Sequence, residues 1–224
     1  MAVRILVFAR SPVPGHTKTR LIPALGAAGA ARLQAALVPD TVRRARAAAV
    51  GPVELWGAGS DGSGFLADVA AAQGVELLWQ RGHDLGARMH TALAAQGGGP
   101  AVIIGSDCPA LEPAAIAAAA AWLRCRDAVV TPALDGGYAL LGVNRSNAAL
   151  FDGVPWGSAA VMNATRSRLA ALGWCWQELA AVSDLDEPAD LAALAALHPG
   201  WRATLARLQG TETSARPASA GGGI

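Results

Sequence analysis

The chain has 224 residues, of which 53% are hydrophobic and 16% charged, with a mean hydropathy of +0.32. One ordinary domain of that length buries roughly 70–75% of the unfolded surface, and the composition excludes disorder over most of the chain. Eighteen Lys and Arg against seventeen Asp and Glu leave a net charge of +1, and no basic stretch is interleaved with aromatics, so nucleic acid is not an expected partner.

The apolar stretches are alanine-rich and are cut by Pro, Gly or a charge before the roughly 20 residues a bilayer needs, so no membrane span or membrane partner is expected. The opening run through Phe8 carries one basic residue and leads into Arg10, which is too brief for a signal peptide. The expected setting is cytoplasmic. Cys108, Cys125 and Cys175 stand 17 and 50 residues apart, without metal-ligand spacing, and read as buried thiols rather than as a disulfide frame or a zinc site.

Strand-length apolar runs alternate with alanine-rich stretches of helical period. That alternation predicts an α/β fold, a three-layer α/β/α sandwich around a mostly parallel, Rossmann-like sheet. In chain order the strands fall over 3–9, 53–57, 75–79, 101–105, 128–132 and 138–143. The clearest helices fall over 27–49, 64–73, 85–95, 113–123, 158–172 and 188–197. Pro113 suits a first helical turn, Ser158 can cap the helix after it, and His198-Pro199 stops the helix before it. Residues 1–209 read as one domain. Residues 210–224, rich in Ser, Ala, Pro and Gly without apolar periodicity, read as a disordered tail.

In an open α/β sheet the ligand site lies beyond the carboxyl ends of the strands. After the first strand, Arg10-Ser11-Pro12-Val13-Pro14-Gly15-His16-Thr17-Lys18-Thr19-Arg20 is a stiff loop with three cations ahead of a helix, which suits phosphates. Lys18 is the only lysine beside seventeen arginines. The spacing is neither a Walker A loop nor G-x-G-x-x-G, and a solvated basic loop is the plainer alternative. After the fourth strand, Asp107 in Gly105-Ser106-Asp107-Cys108-Pro109 either caps the next turn or offers a hard oxygen to Mg²⁺ or Mn²⁺ bridging to a diphosphate.

Asp135-Gly136-Gly137-Tyr138 is either a plain hairpin turn or a place where backbone approaches a ligand, beside the only tyrosine. Ser183-Asp184-Leu185-Asp186-Glu187-Pro188 sets two carboxylates two apart ahead of a helix, and a helix start accounts for one of them. Asp84 reads as a helix cap, and Arg88 on that helix can face a ligand. Trp156 at a loop-to-helix junction either walls a pocket or joins the core. His83, His90 and His198 lack partners at ligand or triad spacing and no G-x-S-x-G occurs, so zinc and hydrolase chemistry are not expected.

The order RSPVPGHTKTRL, GSDCPAL, PALDGGYALLG, PWGSAAV and DLDEPADL, within about residues 3–195, closely resembles a bacterial family of small transferases. These have the GT-A, nucleotide-diphospho-sugar transferase fold and are often described as arsenosugar-biosynthesis glycosyltransferases. The fold is also similar to that of the guanylyltransferases of molybdenum cofactor and phospholactate. Gly157 stands where Ser is usual, and Glu187 where Thr is common.

The resemblance implies a metal-dependent transfer from a nucleotide or nucleotide sugar to a small-molecule acceptor. It implies that the loop from Arg10 through Gly15 to Arg20 holds the phosphates, with Lys18 and Arg20 as its cations. It also implies that Asp107 ligates Mg²⁺ or Mn²⁺ with Asp186 approaching from the other flank, and that Asp135, Gly136 and Gly137 line the acceptor side beside Tyr138 and Trp156. Lys18, Asp107 and Asp135 are the candidate catalytic residues. Glycosyl transfer is the first expectation and nucleotidyl transfer with release of pyrophosphate the alternative; a binding module without turnover is the third reading.

Overall fold

A computed structural model describes residues 2–59, 62–197 and 199–210, so the tail expected over 210–224 lies, apart from residue 210, outside the described residues. Seven strands form one sheet: β1 (Arg4–Arg10), β2 (Val53–Ala58), β3 (Glu76–Trp79), β4 (Ala101–Gly105), β5 (Ala128–Pro132), β6 (Tyr138–Val143) and β7 (Trp176–Glu178). Their order is β3-β2-β1-β4-β6-β5-β7. Every neighbouring pair is parallel except those of β6, which runs antiparallel to β4 and β5 because a short hairpin joins β5 to β6. The helices are α1 (Ile22–Ala47), α2 (Phe65–Gln73), α3 (Leu85–Ala94), α4 (Pro113–Trp122), α5 (Val161–Ala171), α6 (Pro188–Leu197) and α7 (Pro199–Gly210).

Alternation along β1 explains the layers. Ile5, Val7 and Ala9 face one side, where Val38 and Val42 of α1, Leu66 of α2 and Ile116 of α4 pack on them. Leu6 and Phe8 face the other, against Met89 and Leu93 of α3 and Met162 and Leu169 of α5. This is the expected three-layer sandwich, with β1 buried on both faces as a central parallel strand should be. A third cluster joins Leu25, Leu33 and Leu37 of α1 to Leu185, Leu191, Leu194, Leu205 and Leu208 on and beside α6 and α7.

Three elements depart from the sequence reading. α1 starts at Ile22 rather than near residue 27, through a kink where Gly26 adopts φ 66° and ψ 166°. β7 is three half-buried residues paired only to β5, too short for an apolar run to announce it. Pro199 does end α6, but it also opens α7, since a first-turn proline gives up no helical hydrogen bond.

The segment Thr19–Ala47 is long and apolar enough to cross a membrane by length and composition, contrary to the expectation that every apolar stretch is cut too soon. Half of that window is buried inside the protein, with Val38, Val42 and Ala45 fully covered by the sheet side.

The connections leave β1 and β4 in opposite directions along the sheet, so a crevice opens between their carboxyl ends. Phe8 of β1 pairs with Gly105 of β4, which brings the residues after Arg10 and those after Gly105 to one rim.

Candidate active site

A cleft of about 660 Å³ lies over that rim, within the size range of small-molecule sites. Of the candidate residues, Arg10, Lys18, Arg20, Arg88, Asp107, Asp135, Gly137, Tyr138, Trp156 and Asp186 all line it. Gly15 and Gly136 do not.

The loop after β1 is held by its own backbone: Val13 N–H donates to Ser11, and His16 and Thr17 N–H both donate to the Val13 carbonyl. The Thr17 hydroxyl adds a bond to the same carbonyl at 2.9 Å. Gly15 has φ +80° with open space around it, so its role is the turn, not ligand contact. The loop ends on Lys18 in the left-handed region at φ 50°, which is uncommon for a side chain with a Cβ. That backbone turns its side chain inward. The Lys18 side chain is 4% exposed, with Nζ 2.8 Å from Asp107 Oδ1 and donating to the Leu185 carbonyl at 2.6 Å.

The opposing wall is acidic. Asp107 exposes 55% of its side chain, while its carbonyl accepts from Leu185 N–H at 2.9 Å. This bond ties the segment after β4 to the Asp184–Asp190 stretch. Arg20 Nη1 donates to Asp186 Oδ2 at 2.8 Å. Asp190 Oδ2 accepts from the backbone N–H groups of Asp186 and Glu187 at 3.0 and 2.6 Å, which accounts for that acid as a helix-start ligand. Two of the expected phosphate cations are thus ion-paired with the expected metal carboxylates, Lys18 with Asp107 and Arg20 with Asp186.

Asp184 is the acid that the sequence reading named but gave no role. It is half-buried in the same cleft, and among the described residues it has no ion-pair partner. Burial, followed by the charge of Asp135, holds its carboxyl above the ordinary range, with Asp186 and Asp190 adding to the effect. The Cys108 thiol beside them is also pushed up, mainly by burial and then by Asp107 and Asp184, so it is an inert buried thiol. Cys125 and Cys175 are exposed, unlike the sequence reading of all three as buried.

At the β5–β6 hairpin the plain-turn reading holds, in a turn that also borders the cleft. Asp135 Oδ1 accepts from Gly137 N–H at 2.8 Å, as a turn-forming Asp does, and Asp135 also lines the cleft. The close approach at Gly136, expected to be toward a ligand, is instead toward the protein. At φ +92°, a Cβ there would sit 2.3 Å from the Ala159 carbonyl, and the Gly136 carbonyl accepts from Met162 N–H at 2.8 Å. This contact docks the start of α5 on the hairpin.

Tyr138 meets Trp156 edge-on with ring centroids 6.4 Å apart, and Trp156 tilts against Phe151 at 6.4 Å. The Tyr138 hydroxyl reaches only Met89 Sδ, at 3.6 Å, and burial pushes its pKa up, so it stays a neutral donor. Gly86 must lack a side chain because a Cβ would lie 2.8 Å from the indole of Trp156. Asp84 caps α3 as expected, accepting from Ala87 N–H at 2.7 Å, and Arg88 Nε donates to the Gly82 carbonyl at 3.2 Å. Ser158 bonds the Pro155 carbonyl and Ala160 N–H in the turn before α5, while the helix's own cap is Ala160.

Oxygen-only donors such as Asp107, Asp184, Asp186 and Asp135 suit a hard divalent cation. Among the described residues no three acidic, His or Cys groups are gathered tightly enough to hold one, and two of these carboxylates are paired with Lys18 and Arg20. The chemistry of the donor set fits Mg²⁺ or Mn²⁺, provided the ion pairs exchange.

A family model described as "Uncharacterized protein conserved in bacteria (DUF2064)" matches residues 41–158, which include Asp107, Asp135, Tyr138 and Trp156. Among solved structures, a protein from Desulfovibrio desulfuricans G20, provisionally named a nucleotide-diphospho-sugar transferase, is 27% identical over 95% of this chain and 96% of that one, with a TM-score of 0.82. A cytidylyltransferase from Leptospira borgpetersenii serovar Hardjo-bovis shares the fold at 13% identity, 96% of both chains and a TM-score of 0.60. Glucosyl-3-phosphoglycerate synthase from Mycobacterium tuberculosis, crystallised with Mn²⁺, UDP and glucosyl-3-phosphoglycerate, shares it at 14% identity over 97% of this chain and 81% of that one, with a TM-score of 0.54. No curated protein matches. The fold is that of the nucleotide-diphospho-sugar transferases, as the resemblance implied.

Proposed function

We propose that this chain, which belongs to the DUF2064 family, is a transferase that passes a sugar from a nucleoside-diphosphate donor to a small acceptor with the help of Mg²⁺ or Mn²⁺. One observation carries the reading: two cations of the loop after β1 are ion-paired, in one cleft, with two carboxylates of the opposite wall. The two pairs cancel each other's charge and, when they open, complement a metal–diphosphate complex. The transferase fold at 27% identity supports the class. Residues 1–209 are read as one such domain working in the cytoplasm.

In this reading Lys18 and Arg20 bind the donor diphosphate beside Arg10 and Arg88, and Asp107 and Asp186 would hold the cation. The bound cation supplies neutralisation of charge on the departing diphosphate, which Lys18 and Arg20 share through charge-assisted hydrogen bonds. Donors of this kind each lower a barrier by roughly 3–4 kcal/mol. Asp135 takes the proton of the acceptor hydroxyl as its oxygen bonds to the sugar's anomeric carbon and the bond to the diphosphate breaks. Tyr138, Gly137 and Trp156 shape the acceptor side.

Nucleotidyl transfer is the second reading. A cationic loop built for several phosphates favours it, as does the fold shared with a cytidylyltransferase. There the acceptor phosphate attacks the α-phosphorus of an NTP and pyrophosphate leaves. The experiment is a thermal-shift panel of nucleotides and nucleotide sugars with and without Mg²⁺ or Mn²⁺, followed by product analysis. Released nucleoside diphosphate supports the first reading and pyrophosphate the second; binding without metal-dependent product removes both.

A further inference from the structure

Helix α1 carries buried polar side chains that neither the core nor the cleft chemistry described above uses. Gln34 and Arg44 are 3% and 6% exposed. Gln34 Nε2 donates to Ser106 Oγ at 3.2 Å and to the Arg10 carbonyl at 3.3 Å. About 15 Å further along the helix, Arg44 Nη1 donates to the carbonyls of Cys108 and Leu111 at 3.5 and 3.3 Å and to that of Pro109. Arg44 Nη2 lies 2.6 Å from Asp40 Oδ2 on the same helix.

These bonds bracket Asp107 in sequence. Ser106 before it and residues 108–111 after it are tied to one helix, while the Asp107 side chain alone stands out into the cleft, 55% exposed. Gln34 also grips the carbonyl from which the cationic loop departs, and α1 is the helix into which that loop runs. The part of α1 beyond the Gly26 kink therefore holds both the root of the cationic loop, at the Arg10 carbonyl, and the turn that bears Asp107. A buried guanidinium is costly to desolvate, and an apolar side chain of similar volume would often fill the same space without loss of stability. Fixing three carbonyls of a turn is a task that the guanidinium performs and an apolar side chain does not.

We propose that Gln34 and Arg44 are positioning residues: from α1 they lock the 106–111 turn so that the Asp107 carboxylate is presented to a divalent cation at a set distance from the phosphate loop. This rests on the metal-dependent reading above. Groups that orient a metal ligand from behind typically govern 10–100-fold in metal affinity.

The test uses the full chain and the variants Gln34→Met, Arg44→Lys and Arg44→Met. Mn²⁺ affinity is measured by electron paramagnetic resonance with UDP or GDP present, and affinity for the same nucleotides is measured in EDTA. Gln34→Met and Arg44→Met should weaken Mn²⁺ about 10–100-fold, and Arg44→Lys less, while nucleotide affinity in EDTA stays within about twofold. If Arg44→Met fails to fold, Gln34→Met and Arg44→Lys carry the comparison. Mn²⁺ affinity within about twofold of wild type, with only the melting temperature lowered, overturns the proposal. A wild-type chain that takes up no Mn²⁺ with either nucleotide overturns it through the metal reading, and the wild-type titration alone separates the two failures.

Discussion

Replacing Lys18 with Met should move two affinities in opposite directions. The ammonium is 4% exposed and lies 2.8 Å from Asp107. Unit charges at that separation attract by roughly 6 kcal/mol at an effective dielectric constant near 20, and desolvation of the ammonium offsets much of this. A coupling of about 1–3 kcal/mol is left, which a metal ion must overcome to take Asp107, equivalent to roughly 5–150-fold in affinity. Mn²⁺ alone should therefore bind Lys18→Met that much more tightly than wild type. The nucleoside diphosphate loses one charge-assisted bond, about 1.5–3 kcal/mol, and should bind roughly 10–150-fold more weakly. Met inherits the φ of 50° that Lys18 already adopts, so the backbone gains no new strain. Calorimetry with MnCl₂ and with UDP or GDP, separately and together at fixed ionic strength, reads both changes, with the melting temperature as the control for folding. Metal affinity that falls or stays put, or nucleotide affinity that does not change, refutes the exchange of partners.

Asp184→Asn should raise the melting temperature in EDTA at neutral pH, because it removes a half-buried charge crowded by Asp135; a gain on the order of 1 kcal/mol corresponds to about 2–4 °C. Metal-dependent product should fall in the same variant, and a lowered melting temperature would contradict the crowding argument. Gly136→Ala places a Cβ 2.3 Å from the Ala159 carbonyl at a φ of +92°, so urea denaturation should show a loss of about 3 kcal/mol or more, whereas a loss under about 1 kcal/mol would mean the hairpin yields freely.

Glu178 is held below the ordinary carboxylate range chiefly by hydrogen bonds from Arg166, against some desolvation. A depressed folded pKa contributes stability that is present above the unfolded value, near 4.3, and is lost as pH falls through the folded one. The pair is 41% and 30% exposed, so Glu178→Gln should cost about 0.2–1 kcal/mol at pH 7. The gap should close as pH falls below the unfolded value, and a gap that widens in acid would contradict the sign.

The layers of the fold were legible because β1, β4 and β5 are continuous apolar runs bounded by turn residues, the mark of strands buried on both faces. β7 was not, since its three residues, Trp176, Gln177 and Glu178, are half-buried and owe their conformation to pairing with β5. The start of α1 was hidden by Gly26, whose positive φ looks like a boundary but sits inside a kink. At the site, residues that follow strands could be placed at the cleft from strand order alone, as for Arg10 and Asp107. Residues that act through tertiary contacts could not: Gln34 lies mid-helix and Arg44 in the last turn of an alanine-rich helix, and nothing local marks them as gripping a turn about 70 residues later. Asp184 and Asp186, alike in sequence, are told apart by tertiary contacts: Arg20 reaches Asp186, while Asp184 is half-buried beside Asp135.

The central claim is that the cationic loop and the acidic wall trade each other for one metal–nucleotide complex. A crystal structure of the full chain with Mn²⁺ and a nucleoside diphosphate tests it directly. The account predicts the Asp107 carboxylate bound to Mn²⁺ at roughly 2.0–2.3 Å, the diphosphate on the same ion, and Lys18 and Arg20 turned from Asp107 and Asp186 to phosphate oxygens. A diphosphate bound elsewhere, or bound here with the Lys18–Asp107 pair still closed, would contradict it.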